Sequence, residues 1–141
     1  MKRVRVTSEE VQDGNMLTKL IDIASENNKV KRVLADGMYD SNNNFRYLLK
    51  NHIKPGIKTR RNSKVKSTNS SARNISVLRQ QTNFKRWKRS VSYGKRWMVE
   101  TVFSCIKRTF GEYVNARKFH TMTRELIIKA SLYSMFIAMR M

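Results

Sequence analysis

The chain has 141 residues, with 30 Lys and Arg against 10 Asp and Glu, a formal net charge of +20. That length fits one domain, 1–141, or part of one, and an apolar fraction of 40% suffices for a modest core. So large a surplus repels itself unless it meets a polyanion, which makes nucleic acid the default partner. A membrane role is not expected, because there is no clean basic amphipathic face and no run of about 18 apolar residues. The lone Cys105 excludes a disulfide framework and a thiolate zinc site. It reads as a small structural residue, consistent with an intracellular, reducing setting. No signal peptide is recognised at the start.

Lys2 to Thr7 (KRVRVT) alternates basic and apolar residues and predicts a strand with one face buried. Ser8 to Asn15 is a polar connection. Met16 to Asn28 carries Met16, Leu17, Leu20, Ile21, Ile23 and Ala24 on a helical stripe. Lys31 to Asp36 (KRVLAD) predicts a second, more buried strand, broken by the turn Asp36-Gly37-Met38-Tyr39-Asp40-Ser41. Asp40 or Ser41 can N-cap a helix from Asn42 to Asn51 with Phe45, Leu48 and Leu49 inward. His52 follows as a helix C-terminal residue. Ile53 to Thr59 predicts a short strand, with Pro55-Gly56 marking an edge or bulge.

Residues 60–74 are rich in Lys, Arg, Ser and Asn and predict a mobile basic loop, either ordering on nucleic acid or serving as a solvated linker. A basic helix is expected from Ile75 to Ser90. Its Phe84 and Trp87, amid Lys85, Arg86 and their neighbours, either stack on bases or anchor the helix to the core. Tyr93 to Glu112 predicts the central helix, with Val99, Val102, Phe103, Ile106 and Phe110 as its core face. A last helix, Thr121 to Met139, offers Leu126, Ile127, Ala130, Tyr133, Met135, Phe136 and Ile137 to the core. Strands alternating with helices imply a mixed α/β sheet, whose sites gather at the carboxyl ends of strands.

Acids are scarce where the cations are dense. Glu100 is the only acid among the 71 residues from Ser41 to Gly111. Tyr93, Arg96, Glu100 and Lys107 are spaced so that, on a helix, they fall within roughly 60° of one face. A solvated salt-bridged face gives the same pattern. Five of the ten acids surround the first helix and Glu112 and Glu125 lie near helix ends, so Asp36, Asp40 and Glu100 remain for chemistry. Converging carboxylates suit Mg²⁺ or Mn²⁺. In a basic protein such a site suggests phosphodiester chemistry, with Arg96 and Lys107 supplying charge to phosphates and Tyr93 orienting a phosphate or nucleotide ring.

The spacing Tyr, two residues, Arg, three residues, Glu, six residues, Lys resembles the signature of the DDE insertion-sequence transposases of the IS-four and IS-five type. VLADGMYDS at Val33 to Ser41 is similar to the block holding that family's second Asp, placing it on Asp36. KPGIK at Lys54 to Lys58 and FGEYVNARK at Phe110 to Lys118 resemble family blocks as well. The resemblance implies a ribonuclease-H-like α/β fold and Mg²⁺-dependent (or Mn²⁺-dependent) DNA strand cleavage and transfer. It implies catalytic, metal-binding Asp36 and Glu100, and DNA-contacting or catalysis-assisting Tyr93, Arg96 and Lys107. Arg60, Arg61, Lys85, Arg86 and Trp87 join them as DNA-binding candidates from the basic segments. The partners implied are transposon ends, target DNA and further copies of the chain, in a cytoplasmic, nucleoid-associated setting.

In the resembled family one further catalytic carboxylate precedes the region matched here. The expectation is therefore a C-terminal transposase piece, N-terminally truncated, lacking one metal ligand and one or two sheet strands. The alternative to a strand-transfer enzyme is a non-catalytic basic DNA-binding remnant that inhibits the full-length transposase. A ribosomal-type RNA-binding protein would explain the charge, but not the shared face of Tyr93, Arg96, Glu100 and Lys107.

Overall fold

Two short strands lie in parallel with a helix between them in sequence. They are β1 (Arg32–Ala35) and β2 (Lys54–Ile57), in the register Arg32 with Lys54, Val33 with Pro55, Leu34 with Gly56 and Ala35 with Ile57. The structure, a computed structural model, describes residues 16–26, 28–65 and 71–140. The expected strand Lys2 to Thr7 and the connection after it lie outside the described residues. The chain divides into two units, one of Gln12–Arg96 and one that includes Trp97–Met141. Among the described residues the architecture is helix-rich α/β with a two-stranded parallel sheet.

In the first unit, α1 (Leu17–Ser25) and α2 (Asn42–Lys50) flank β1 in sequence. Ser41 caps α2, its hydroxyl accepting from the Asn44 N–H at 3.2 Å. That settles the capping choice, since Asp40 is engaged elsewhere. The apolar spacing of these elements converges on one core of Leu17, Ile21, Ala35, Phe45, Leu48, Ile53 and Ile57. Phe45, Leu48 and Ile57 are at most 1% exposed. Each such side chain contributes about 1.5–3 kcal/mol by leaving water. Leu49, expected inward, is 63% exposed. It follows Leu48 by one residue, about 100° around the helix, and turns off the buried face.

Gly56 explains why two strands this short lie so close. A Cβ there would stand 2.5 Å from Leu34 Cδ2 and 2.9 Å from the Val33 carbonyl oxygen. The Pro55-Gly56 pair therefore marks a close approach between paired strands.

The basic helix expected from Ile75 to Ser90 is two helices, α3 (Ala72–Thr82) and α4 (Phe84–Ser90). Asn83 is extended at the break, and its side chain accepts from the Arg86 N–H at 2.9 Å, capping α4. Asparagine competes for local backbone bonds and favours such starts over helix interiors. The end of α4 is pinned to the sheet by two cations. Lys54 Nζ donates to the Ser90 carbonyl at 2.7 Å and Arg32 Nη1 to the Val91 carbonyl at 3.1 Å. Helix C-terminal carbonyls are natural acceptors for such groups.

The second unit contains α5 (Trp97–Phe110) and α6 (Phe119–Arg140). Phe110 and Phe136 stack with centroids 6.2 Å apart. Glu125 ties the linker to α6, accepting from the Asn115 and Ala116 N–H groups and pairing with Lys129 at 2.9 Å. The expected burial of both apolar faces is not found. No residue of α5 is buried, Val99 and Phe103 are exposed, and α6 buries Ala130 alone. Apolar spacing identifies the face a helix can bury; burial also requires an element against it.

Candidate functional site

The site begins where β1 ends. Asp36 leaves the strand in extended conformation and caps the 3-10 turn Gly37–Tyr39, its Oδ1 accepting from the Met38 N–H at 3.0 Å. Its other oxygen, Oδ2, accepts from Arg96 Nη2 at 3.0 Å. Both side chains are about one-third exposed, 37% for Asp36 and 32% for Arg96. Water screens such a pair, which is worth about 0.2–1 kcal/mol. The contact places a guanidinium on the carboxylate without closing the site to solvent.

Arg96 reaches Asp36 because the segment before α5 is not α-helical. Tyr93–Arg96 forms a 3-10 turn, so the expected single helix from Tyr93 to Glu112 is a 3-10 turn followed by α5. The four signature residues therefore do not share one α-helical face. Tyr93 and Arg96 instead turn onto the end of β1, with the Tyr93 hydroxyl donating to the Ala35 carbonyl at 3.2 Å. Glu100 and Lys107 lie on α5 in the second unit, both exposed.

Trp87 holds this arrangement from behind. It is 4% exposed, with its ring 5.4 Å from Phe84 and 5.1 Å from Tyr93. A ring so covered has no free face for a base, so its expected DNA contact is corrected to an anchoring role. Its neighbours Lys85, Arg86, Lys88 and Arg89 are all exposed. Single anchoring by Trp87 thus turns four cations of α4 to solvent, and Arg79 and Arg86 border a cleft of about 410 Å³ between α3 and α4.

Asp40, four residues beyond Asp36, is not open for chemistry. Its side chain is fully buried and accepts from Arg73 Nε at 2.7 Å, Arg73 Nη2 at 3.1 Å, Ser63 Oγ at 2.8 Å and the Arg60 N–H at 3.0 Å. Burial raises its pKa. The Arg73 fork, the Arg60 amide and the Ser63 hydroxyl outweigh that and hold it below the ordinary carboxylate value. Sequence reasoning found Asp40 but missed Arg73 and Ser63, which lie 33 and 23 residues away with no local pattern linking them. The same network orders the start of the segment expected to be a mobile basic loop. Ser63 is buried, its carbonyl accepts from Gln81 Nε2 at 2.8 Å, and α3 already begins at Ala72. Arg60 and Arg61 remain exposed.

Among the described residues, no three His, Cys, Asp or Glu side chains gather closely enough to hold a metal ion. Among the described residues of the first unit the sheet end offers Asp36 alone, since Asp40 is spent on Arg73. These residues do not by themselves build a divalent-cation site. Among the described residues, no helix is long and apolar enough to cross a membrane.

A basic surface around a strand-end carboxylate defines a protein built to meet a polyanion beside an acidic group. The model of the transposase DDE domain family matches residues 1–135, and the chain belongs to that family. No curated protein and no solved structure gives a match. Membership implies a role in DNA transposition and hence DNA binding, and the family generally uses divalent metals.

Proposed function

We propose that this chain is a DNA-binding transposase domain of the insertion-sequence type with the Tyr93, Arg96, Glu100, Lys107 signature. In this reading it has a ribonuclease-H-like arrangement, and Asp36 and Glu100 supply carboxylates for Mg²⁺- or Mn²⁺-dependent strand cleavage and transfer. The observation that carries it is Asp36 at the carboxyl end of a parallel strand, paired with Arg96 and set beside exposed Arg60. Sites of α/β sheets gather at that end. Arg60, Arg61, Lys85 and Arg86 grip phosphates of transposon ends and target DNA, with Lys107 contributing from α5. Cooperation between copies and a cytoplasmic, nucleoid-associated setting belong to the same reading.

The chemistry of the chain's own groups is clear without a bound metal. Tyr93 fixes the backbone preceding Asp36, and the Met38 amide and Arg96 orient its two oxygens. A divalent ion, when bound, would supply Lewis-acid activation of water or phosphate. The described residues do not by themselves gather three ligands for it.

A second reading is binding of DNA without cleavage. It is favoured by the Arg96 guanidinium on Asp36. One experiment separates the two: supercoiled plasmid with Mg²⁺ or Mn²⁺, comparing the wild-type chain with Glu100→Gln, alongside duplex-binding titrations at several salt concentrations. Nicking lost in Glu100→Gln supports cleavage. Salt-sensitive binding by both proteins without nicking supports binding alone. Binding with no salt dependence would overturn both, since each phosphate contact adds about 0.9 to the log–log salt slope.

A further inference from the structure

Asp40 is a buried carboxylate with four donors, and one of them is the backbone amide of a residue that itself reaches the Asp36 turn. The Arg60 N–H donates to Asp40 Oδ2 at 3.0 Å, while Arg60 Nε donates to the Gly37 carbonyl at 3.2 Å. Gly37 adjoins Asp36. The turn is closed from the other side as well. The Ser63 N–H donates to the Arg60 carbonyl at 2.9 Å, the Ser63 hydroxyl donates to Asp40, and Arg73 Nη2 donates to that hydroxyl at 3.1 Å. Gln80 of α3 holds the preceding residue, its Oε1 accepting from the Thr59 N–H at 3.0 Å. The two turns are in van der Waals reach, since a Cβ on Gly37 would meet the Lys58 carbonyl oxygen at 3.5 Å and Arg60 Cγ at 3.7 Å.

Buried carboxylates of this kind are costly unless fully satisfied, and the Arg73 fork leaves lone pairs that the Ser63 hydroxyl and the Arg60 amide fill. The two extra donors make the carboxylate a junction between three segments: the Asp36 turn, the segment 58–63 and α3. We infer that Asp40 is a positioning residue for DNA contact. It fixes the backbone of Arg60 so that an exposed guanidinium stands over the peptide next to Asp36, where it meets a phosphate of DNA lying across the carboxyl ends of β1 and β2. The inference rests on the DNA-binding reading above and assigns its geometry.

The test is a double-mutant cycle on duplex affinity, read by fluorescence anisotropy with the full chain. In the wild-type background Arg60→Ala weakens binding about tenfold, the scale of one charged hydrogen bond. It also lowers the log–log salt slope by about one phosphate contact. In the Asp40→Asn background Arg60→Ala changes affinity by no more than about twofold and leaves the salt slope unchanged, because Arg60 is already unplaced. Arg86→Ala, on α4 and outside the network, has the same effect in both backgrounds. A general loss of structure would move both arginines alike.

An undiminished Arg60→Ala effect in Asp40→Asn overturns the positioning role while leaving the DNA-binding reading intact. If no variant and no salt change alters binding, the DNA-binding reading fails, and the inference with it. Arg73→Lys keeps the buried charge but loses the fork, and is expected to reduce the Arg60→Ala effect in part. Hydrogen exchange on the wild-type chain gives a result independent of any variant's stability. The Arg60 amide, bonded to a buried carboxylate, exchanges at least tenfold more slowly than that of Arg61. Equal exchange at the two amides overturns the anchoring on which the inference stands.

Discussion

Replacing Trp87 with alanine decides between the two roles that the sequence offered for it. If the indole were a stacking platform, the variant would keep its stability and lose DNA affinity. Stacking on one base is worth about 1–3 kcal/mol. The structure predicts the reverse. The ring is 4% exposed and lies against Phe84 and Tyr93, at 5.4 and 5.1 Å. Removing a buried Trp costs about 3–5 kcal/mol through lost transfer energy and the cavity left behind. Each aromatic pair accounts for about 0.5–1.5 kcal/mol beyond its area. Against a total stability of about 5–15 kcal/mol, that is a large part of what holds the unit together. Urea unfolding followed by far-ultraviolet circular dichroism measures it, with Trp87→Phe as a partial restoration. Tyr93 leans on Trp87 and donates to the Ala35 carbonyl, so the loss also loosens the peptide leading into Asp36. A Trp87→Ala chain that unfolds within about 1 kcal/mol of wild type, yet binds DNA markedly more weakly, would refute the anchoring argument.

Two further outcomes follow from the same geometry. Gly56→Ala places a Cβ 2.9 Å from the Val33 carbonyl oxygen, so the strands must separate. A loss of about 1–3 kcal/mol is expected, and an unchanged thermal midpoint would show that the strand spacing is not tight. Acid should weaken the first unit through Asp40. Its folded pKa lies below the unfolded value, so its contribution is complete above the unfolded pKa, about 3.9. That contribution is lost as pH falls through the lower, folded value. Arg73 keeps its charge throughout. A plot of stability against pH should therefore steepen below about pH 4–5 and be flatter in Asp40→Asn; parallel curves for the two proteins would contradict the assignment.

Much of the local structure was legible. The short apolar runs bounded by turn residues located β1 and β2 to within a residue or two, and the Asp40-Ser41 pair before Asn42 announced α2. The break at Asn83 carried a signal too, a capping asparagine after Gln80, Gln81 and Thr82, but asparagine is tolerated inside helices, and only the extended backbone there reveals the boundary. By spacing, Tyr93, Arg96, Glu100 and Lys107 fall on one helical face, whereas in the fold Tyr93 and Arg96 lie in a 3-10 turn directed at β1. Helical arithmetic assumes continuous α geometry, and the bonds to Ala35 and Asp36 compete with it over 58 and 60 residues of separation. On α5 and α6 the apolar pattern was present while the burial was not.

The sequence by itself determined the charge, the short-range elements and the placing of an aspartate at a strand end. Those depend on composition and on residues a few positions apart. Composition and periodicity left Asp36 and Asp40 alike as candidates, and only the family resemblance of VLADGMYDS singled out Asp36. Both are acids in the same turn, four residues apart, and periodicity treats them alike. Only the tertiary structure gave Asp40 to Arg73, Ser63 and the Arg60 amide and left Asp36 open to solvent under a single guanidinium. The difference lies in which distant donors the folded chain brings to each carboxylate, because burial removes water from one and not from the other.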